Sequence, residues 1–180
     1  MTDERDDRDQ GDGRASDRRP AGGDGRGERE GDRRAMGAYA AMLGIYGAGA
    51  LATTAVLRRR RDRVRRPGPM DLALLGLATQ HLTRLITKDT VTAPLRAPFT
   101  QFEGPAGEGE VNEQVVGTGV RHVVGELVSC PFCLGQWVAT GLVAANVGAP
   151  SFGMAATTVL TTAQLSDYLQ LAYAAFRHRQ

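Results

Sequence analysis

Long apolar segments separated by polar ones set the plan of this chain. Met36–Leu57 runs 22 residues without a charge. As a helix rising ~1.5 Å per residue it reaches about 33 Å, enough for a hydrocarbon core of ~30 Å. Its Gly37, Ala41, Gly44, Gly47, Gly49 and Thr53 are small, which allows close helix approach in lipid. A second helix is predicted over 70–87. Leu72, Leu74, Leu75, Leu77, Leu82, Leu85 and Ile86 supply its apolar positions, and His81, Arg84 and Lys88 fall on one side at steps of three and four. The uncharged run from Leu72 to Thr83 is short for a span, and Arg84 is placed to snorkel to an interface.

Between 88 and 129 the chain is mostly polar. Pro94 and Pro98 predict an extended Thr92–Thr100, and Gly104–Gly109 predicts a loop. Val123, Val124, Leu127 and Val128 recur at helical spacing and predict a short amphipathic helix near 118–129. A third long apolar helix is predicted over 131–148, opened by Pro131 and closed by Gly148-Ala149-Pro150. A fourth covers 151–176 and carries Gln164, Asp167 and Gln170. The fold class that follows is all-α: an integral membrane bundle of four hydrophobic helices, three or four of them spanning.

Charge sharpens this picture. Residues 1–35 hold nine Arg and eleven Asp or Glu and almost nothing apolar, so they predict a disordered charged N-terminal tail. Residues 58–69 form an Arg-rich loop, with seven Arg and one Asp between Arg58 and Arg66. Arg58, Arg59, Arg60 and Arg61 read as membrane-interface anchors, which places that loop in the cytoplasm and the protein in the cell membrane. The side on which residue 130 emerges depends on whether helix 70–87 crosses. Mixed signs in the tail, and a basic run without interleaved aromatics, speak against nucleic acid. The partners predicted are the lipid bilayer and a membrane protein or a second copy of the chain.

Candidate chemistry centres on two places. Cys130-Pro131-Phe132-Cys133 sits at the mouth of the third helix, where an N-cap thiol gains thiolate character. The pair reads as packing thiols or a disulfide, as a redox dithiol with Cys130 attacking and Cys133 resolving, or as half a metal site with His81 and His122. Asp167 lies within an apolar helix, where a carboxylate needs a partner or a cavity; Arg84, His81 and Lys88 are the candidates. Trp137 reads as an interface anchor. No phosphate loop, nucleophile elbow or cofactor fingerprint is present.

Thr83-Arg84-Leu85-Ile86-Thr87-Lys88-Asp89, Thr92-Ala93-Pro94-Leu95-Arg96, Gly125-Glu126 and Cys130-Pro131-Phe132-Cys133-Leu134-Gly135-Gln136-Trp137 together resemble the bacterial family called domain of unknown function 1360. The resemblance covers about residues 70–175 and implies a small multi-pass membrane protein; it implies no reaction. The functional expectation is a non-enzymatic scaffold or interaction protein without a cofactor. The alternatives are a membrane thiol-disulfide protein using Cys130 and Cys133, and an ion-path or transport subunit centred on Asp167.

Overall fold

The computed structural model describes residues 25–60, 67–107 and 109–177. Six helices and one hairpin follow in chain order: α1 Gly25–Arg59, α2 Pro69–Thr87, α3 Ala93–Arg96, β1 Thr100–Gly107, β2 Glu110–Val115, α4 Val120–Ser129, α5 Pro131–Gly148 and α6 Pro150–Arg177. The chain is therefore mostly helical.

Within α1, Met36–Arg59 is the one described helix long and apolar enough to cross a membrane. α4 and α5 meet that standard only together, and they bend by 82° at the break between them. The helix begins at Gly25, so the predicted tail is shorter than 1–35; residues 1–24 and Arg61 lie outside the described residues. Extending an established helix requires no new nucleus, and the Arg and Glu residues of 26–34 are good helix formers.

α2, α5 and α6 pack against one another, and α1 lies along α4 and α5. Pro69 opens α2, and the Asp71 carboxylate accepts the Gly68 N–H at 2.8 Å. Ala78, Leu134, Val138 and Leu142 form the shared core. Five contacts fix helix direction. Thr161 donates to the Leu74 carbonyl at 2.8 Å and Tyr168 to Gln80 at 3.0 Å, so α6 runs parallel to α2. Thr83 faces Gly135, and α5 runs antiparallel to both. Tyr46 and Trp137 stack with ring centroids 5.3 Å apart, and Arg60 donates to the Val147 carbonyl at 3.2 Å, so α1 runs parallel to α5. The α5–α6 turn is tight because Gly153 lies against the Asn146 backbone, where a Cβ would come within 2.5 Å.

The bundle thus has two ends. Arg58–Arg60, Pro69 and the α5–α6 turn share one. The other carries the last turn of α2, the hairpin, α3, α4 and Cys130.

This second end departs from the all-α expectation. β1 and β2 pair antiparallel, with Thr100 opposite Val115 and Gly107 opposite Glu110. Gly104, Pro105 and Gly107 erase the alternation that marks a strand, and most of the hairpin is exposed. Thr92–Thr100 is not extended throughout either: α3 forms with Pro94 in its first turn, where the missing N–H costs little.

The hairpin is held by a buried ion pair. Arg96 is 1% exposed and Glu113 7% exposed; Nε and Nη2 of Arg96 reach the Glu113 carboxylate at 2.8 and 3.1 Å. Nη1 donates to the Ile86 carbonyl at 2.6 Å and to Thr92 Oγ1 at 2.7 Å; Nη2 also reaches the Asp89 carbonyl at 3.0 Å. Thr100 donates to Glu113 at 2.9 Å. Arg96 therefore fastens the α2 end, α3 and β2 to one point, with its charge and donors satisfied. α4 closes over this joint at Gly125, where a Cβ would meet Val115 at 2.5 Å and the Phe99 carbonyl at 3.0 Å.

Burial alone would push the Glu113 carboxyl up. The hydrogen bonds from Arg96 and Thr100 and the charges of Arg96 and Lys88 outweigh it, and the carboxyl is held below its ordinary value. Its contribution to stability is full above the unfolded-state value and is lost as pH falls through the lower folded value. In detergent, Arg96→Met is expected to destabilise by about 3–5 kcal/mol. Arg96→Met with Glu113→Leu should lose less than Arg96→Met alone, because no unpaired charge is left. Thermal melts from pH 7 to pH 3 check both points: Glu113→Gln should flatten the acid limb.

Candidate functional site

The polar end of the bundle gathers the residues that carry charge. α2 places His81 and Arg84 one turn apart, facing α6. Asp167 receives them: His81 Nδ1 lies 3.5 Å and Arg84 Nη1 3.7 Å from its Oδ2. Arg84 Nε also donates to Glu110 at the start of β2. One guanidinium thus bridges a helix carboxylate and a hairpin carboxylate. The side chains of His81, Arg84, Asp167 and Glu110 are partly covered, so the cluster is wet on one side. It lines a cavity of about 590 Å³ together with Asp89 and Gln170.

Arg84 is accordingly a bridging residue and not a free snorkelling side chain. Asp167 is not at mid-bundle either: it lies level with the last turns of α2, and α6 continues to Arg177 beyond it. The polar groups deeper in the bundle are Thr161 and Gln164, both buried.

Beside this cluster, between α2 and α5, runs a groove of about 660 Å³. Gly76, Gly135 and Ala139 open its walls, and Arg84, Lys88 and Glu110 stand at its polar end. Among the described residues Lys88 makes no ion pair.

The cysteines sit on the bend between α4 and α5. Cys130 is the N-cap of α5, and its Sγ accepts the Cys133 N–H at 3.2 Å. Both are free thiols; Cys130 is half-buried and Cys133 exposed. The Cys130 thiol is held below its ordinary range, chiefly by hydrogen bonding from the Cys133 thiol. The Cys133 and Phe132 amides and the charge of Lys88 add to this, against the opposing effect of burial.

The metal reading is corrected. His81 pairs with Asp167, and His122 with Glu126 at 3.3 Å on the exposed side of α4. Among the described residues no group of three His, Cys, Asp or Glu side chains converges. Nor is Trp137 a free interface anchor: it is half-buried against Tyr46, and the Tyr46 hydroxyl lies 3.3 Å from Thr140 Oγ1. Arg58 and Arg59 close α1, and Arg60 is spent on the α5 end.

Glu110 and Glu113 belong to this candidate site although the sequence pattern gives them no role. Their spacing of three along a hairpin, opposite Arg84 and Arg96, becomes meaningful only once β1 and β2 pair.

The family described as "Protein of unknown function (DUF1360)" matches residues 74–173. That span runs from α2 through α6 and includes every residue of the polar end. Sporulation protein YjcA of Bacillus subtilis (strain 168) is 35% identical over 104 residues, which cover 56% of this chain and 88% of that protein. No solved structure matches.

Asp167→Asn and Arg84→Gln should be coupled in a double-mutant cycle of thermal stability in detergent. An interaction energy of roughly 0.5–3 kcal/mol is expected for side chains in one network. Strictly additive losses would separate them.

Proposed function

The chain belongs to the DUF1360 family, a family of unknown function, and we propose on that premise that it is a multi-pass protein of the cell membrane. Its task in this reading is that of a scaffold or interaction protein, which holds a rigid polar cap at one membrane face. The observation that carries the proposal is the display of large apolar side chains on the outside of its helices, with polar ones buried between them. Thr83, Thr87, Thr161 and Gln164 are buried between helices. Leu43, Leu51, Leu72, Phe152, Val159 and Leu169 stand exposed on the outside of α1, α2 and α6. Water penalises that arrangement, and lipid favours it.

Helix direction supports four crossings. α2 and α5 are of nearly equal length, 19 and 18 residues, and run antiparallel, so each traverses the same slab of about 28 Å. Cys130 and the hairpin then lie opposite the Arg58–Arg66 loop. Residues 88–129 carry three Lys or Arg, against seven in that loop. The dense basic run supports a cytoplasmic loop, and four crossings then set the cap outside; the cations at the start of α1 and at the end of α6 share the cap end and oppose this topology. Two of the cations at the cap end, Arg84 and Arg96, are also neutralised by carboxylates. In this reading the amphipathic α4, set at a sharp bend to α5, lies along the surface of the outer leaflet. Val91, Leu95 and Phe102 are exposed on the cap and supply an apolar contact for a partner.

A second reading is favoured by one feature. The N-cap Cys130 with its lowered pKa, three residues before an exposed Cys133, is a competent dithiol on a face where oxidation is permitted. In that reading Cys130 attacks a partner disulfide and Cys133 resolves the mixed disulfide.

The protein should resist sodium carbonate extraction from membranes. In intact cells a membrane-impermeant maleimide should label Cys133, and pre-treatment with a reductant, removed before labelling, should not raise the yield. Release by carbonate would overturn the membrane reading, and labelling only after lysis would reverse the topology. The dithiol reading expects Cys133→Ser to accumulate a mixed disulfide through Cys130. Its absence under oxidising conditions leaves the scaffold alone.

A further inference from the structure

We propose that the groove between α2 and α5 is a binding site for one anionic phospholipid, with its phosphate on Lys88 and an ester carbonyl on Thr83. The proposal rests on the membrane reading above and adds a ligand to it.

Two features of the groove ask for a polar ligand. The Lys88 ammonium stands at its mouth with no carboxylate in contact among the described residues, while neighbouring Arg84 is already shared between Glu110 and Asp167. Thr83 lines the same groove and is only 4% exposed, and its hydroxyl, covered behind that wall, has no hydrogen-bond partner among the described residues. The other threonine there, Thr79, satisfies itself on the Leu75 carbonyl at 2.8 Å. A buried hydroxyl left without a partner costs about 1–3 kcal/mol, so Thr83 gains from an acceptor brought into the groove.

The spacing of these groups selects the class. Thr83 and Lys88 are five residues apart, about 7.5 Å along α2. Beyond Thr83 the groove turns apolar, between Gly76 on α2 and Gly135 and Ala139 on α5. Neither glycine blocks it: a Cβ on Gly76 would meet nothing within 4 Å, and one on Gly135 would lie 3.9 Å from Thr83 Oγ1. An anion, then an acceptor, then a hydrocarbon chain is the order of groups in a phospholipid. The volume of about 660 Å³ lies in the range of sites for one small ligand. Glu110, at the same end, is engaged with Arg84, so the charge left to meet the ligand is that of Lys88.

The experiment is native mass spectrometry of the full chain in neutral detergent, titrated with equal amounts of phosphatidylglycerol and phosphatidylcholine. The wild type should retain phosphatidylglycerol in preference by roughly fivefold, the effect of one lysine near anionic lipid. Lys88→Met should abolish the preference and Lys88→Arg should keep it. Gly135→Leu should lower retention of both lipids by filling the groove. Unchanged melting temperatures show that the variants are folded, and Lys88→Gln replaces Lys88→Met if that variant does not fold. Equal retention of the two lipids by wild type, or an undiminished preference in a folded Lys88 variant, would overturn the proposal. Displacement of bound phosphatidylglycerol by millimolar inorganic phosphate would also overturn it, because the site would then read a free anion. A carbonate-resistant protein without lipid preference ends this proposal alone; a carbonate-released protein ends the membrane reading.

Discussion

The helices of this protein bury a few polar side chains beside an apolar core and display large apolar ones on the outside, and the way the helices fit together depends on those buried polar groups. A threonine or asparagine between helices in an apolar setting gains from hydrogen bonds made within the bundle. Thr161 does so by donating to the Leu74 carbonyl, and Asn146 by reaching Leu142 O at 2.9 Å and Thr157 Oγ1 at 3.1 Å. The Thr161–Leu74 and Asn146–Thr157 bonds each fix the register between two helices. The register of α6 on α2 is what brings Asp167 to His81 and Arg84. Small residues allow the approach: Ala78 is wholly buried, and Gly153 lets the start of α6 lie on the end of α5.

At the cap the logic changes from packing to charge. β1 and β2 have little apolar area to bury, and a lone two-stranded hairpin is marginal. Arg96 and Glu113 supply what the hairpin lacks, and Arg84 with Glu110 repeats the device one step nearer the bundle. The two pairs tie β2 to α3 and α2, so the end of α2 is held in place. Lys88 then projects between the thiols and the groove. The cap is fixed by a few directional contacts, as suits a surface that must present side chains in constant positions.

Much of this was legible in the sequence, and the limits have physical causes. α2, α5 and α6 announce themselves through apolar runs closed by proline and glycine, and the observed bounds differ from the expected ones by a residue at most. The partners of Asp167 followed from the cost of a lone carboxylate in an apolar helix. The hairpin was invisible because its strands contain glycine and proline and bury almost nothing. Arg96 stood in the family-like motif without a role, since its partner lies 17 residues on, across a pairing that local pattern does not encode. Trp137 packs on Tyr46, a contact that the sequence pattern does not reveal because amphipathic aromatics suit both an interface and a helix contact. Gly125 had no reason in sequence; its reason is the backbone it touches.

In the reading proposed here, lipid is the solvent for the outer faces of α1, α2 and α6, and the family-wide part of the chain is a bundle with a clamped cap to which α1 is added. The most direct test is to remove detergent from the purified protein and follow its mass by light scattering. The account predicts that the monomer present in detergent is lost to large aggregates as detergent falls below its critical micelle concentration, and is recovered in lipid nanodiscs. A folded, monodisperse monomer in plain buffer would contradict it.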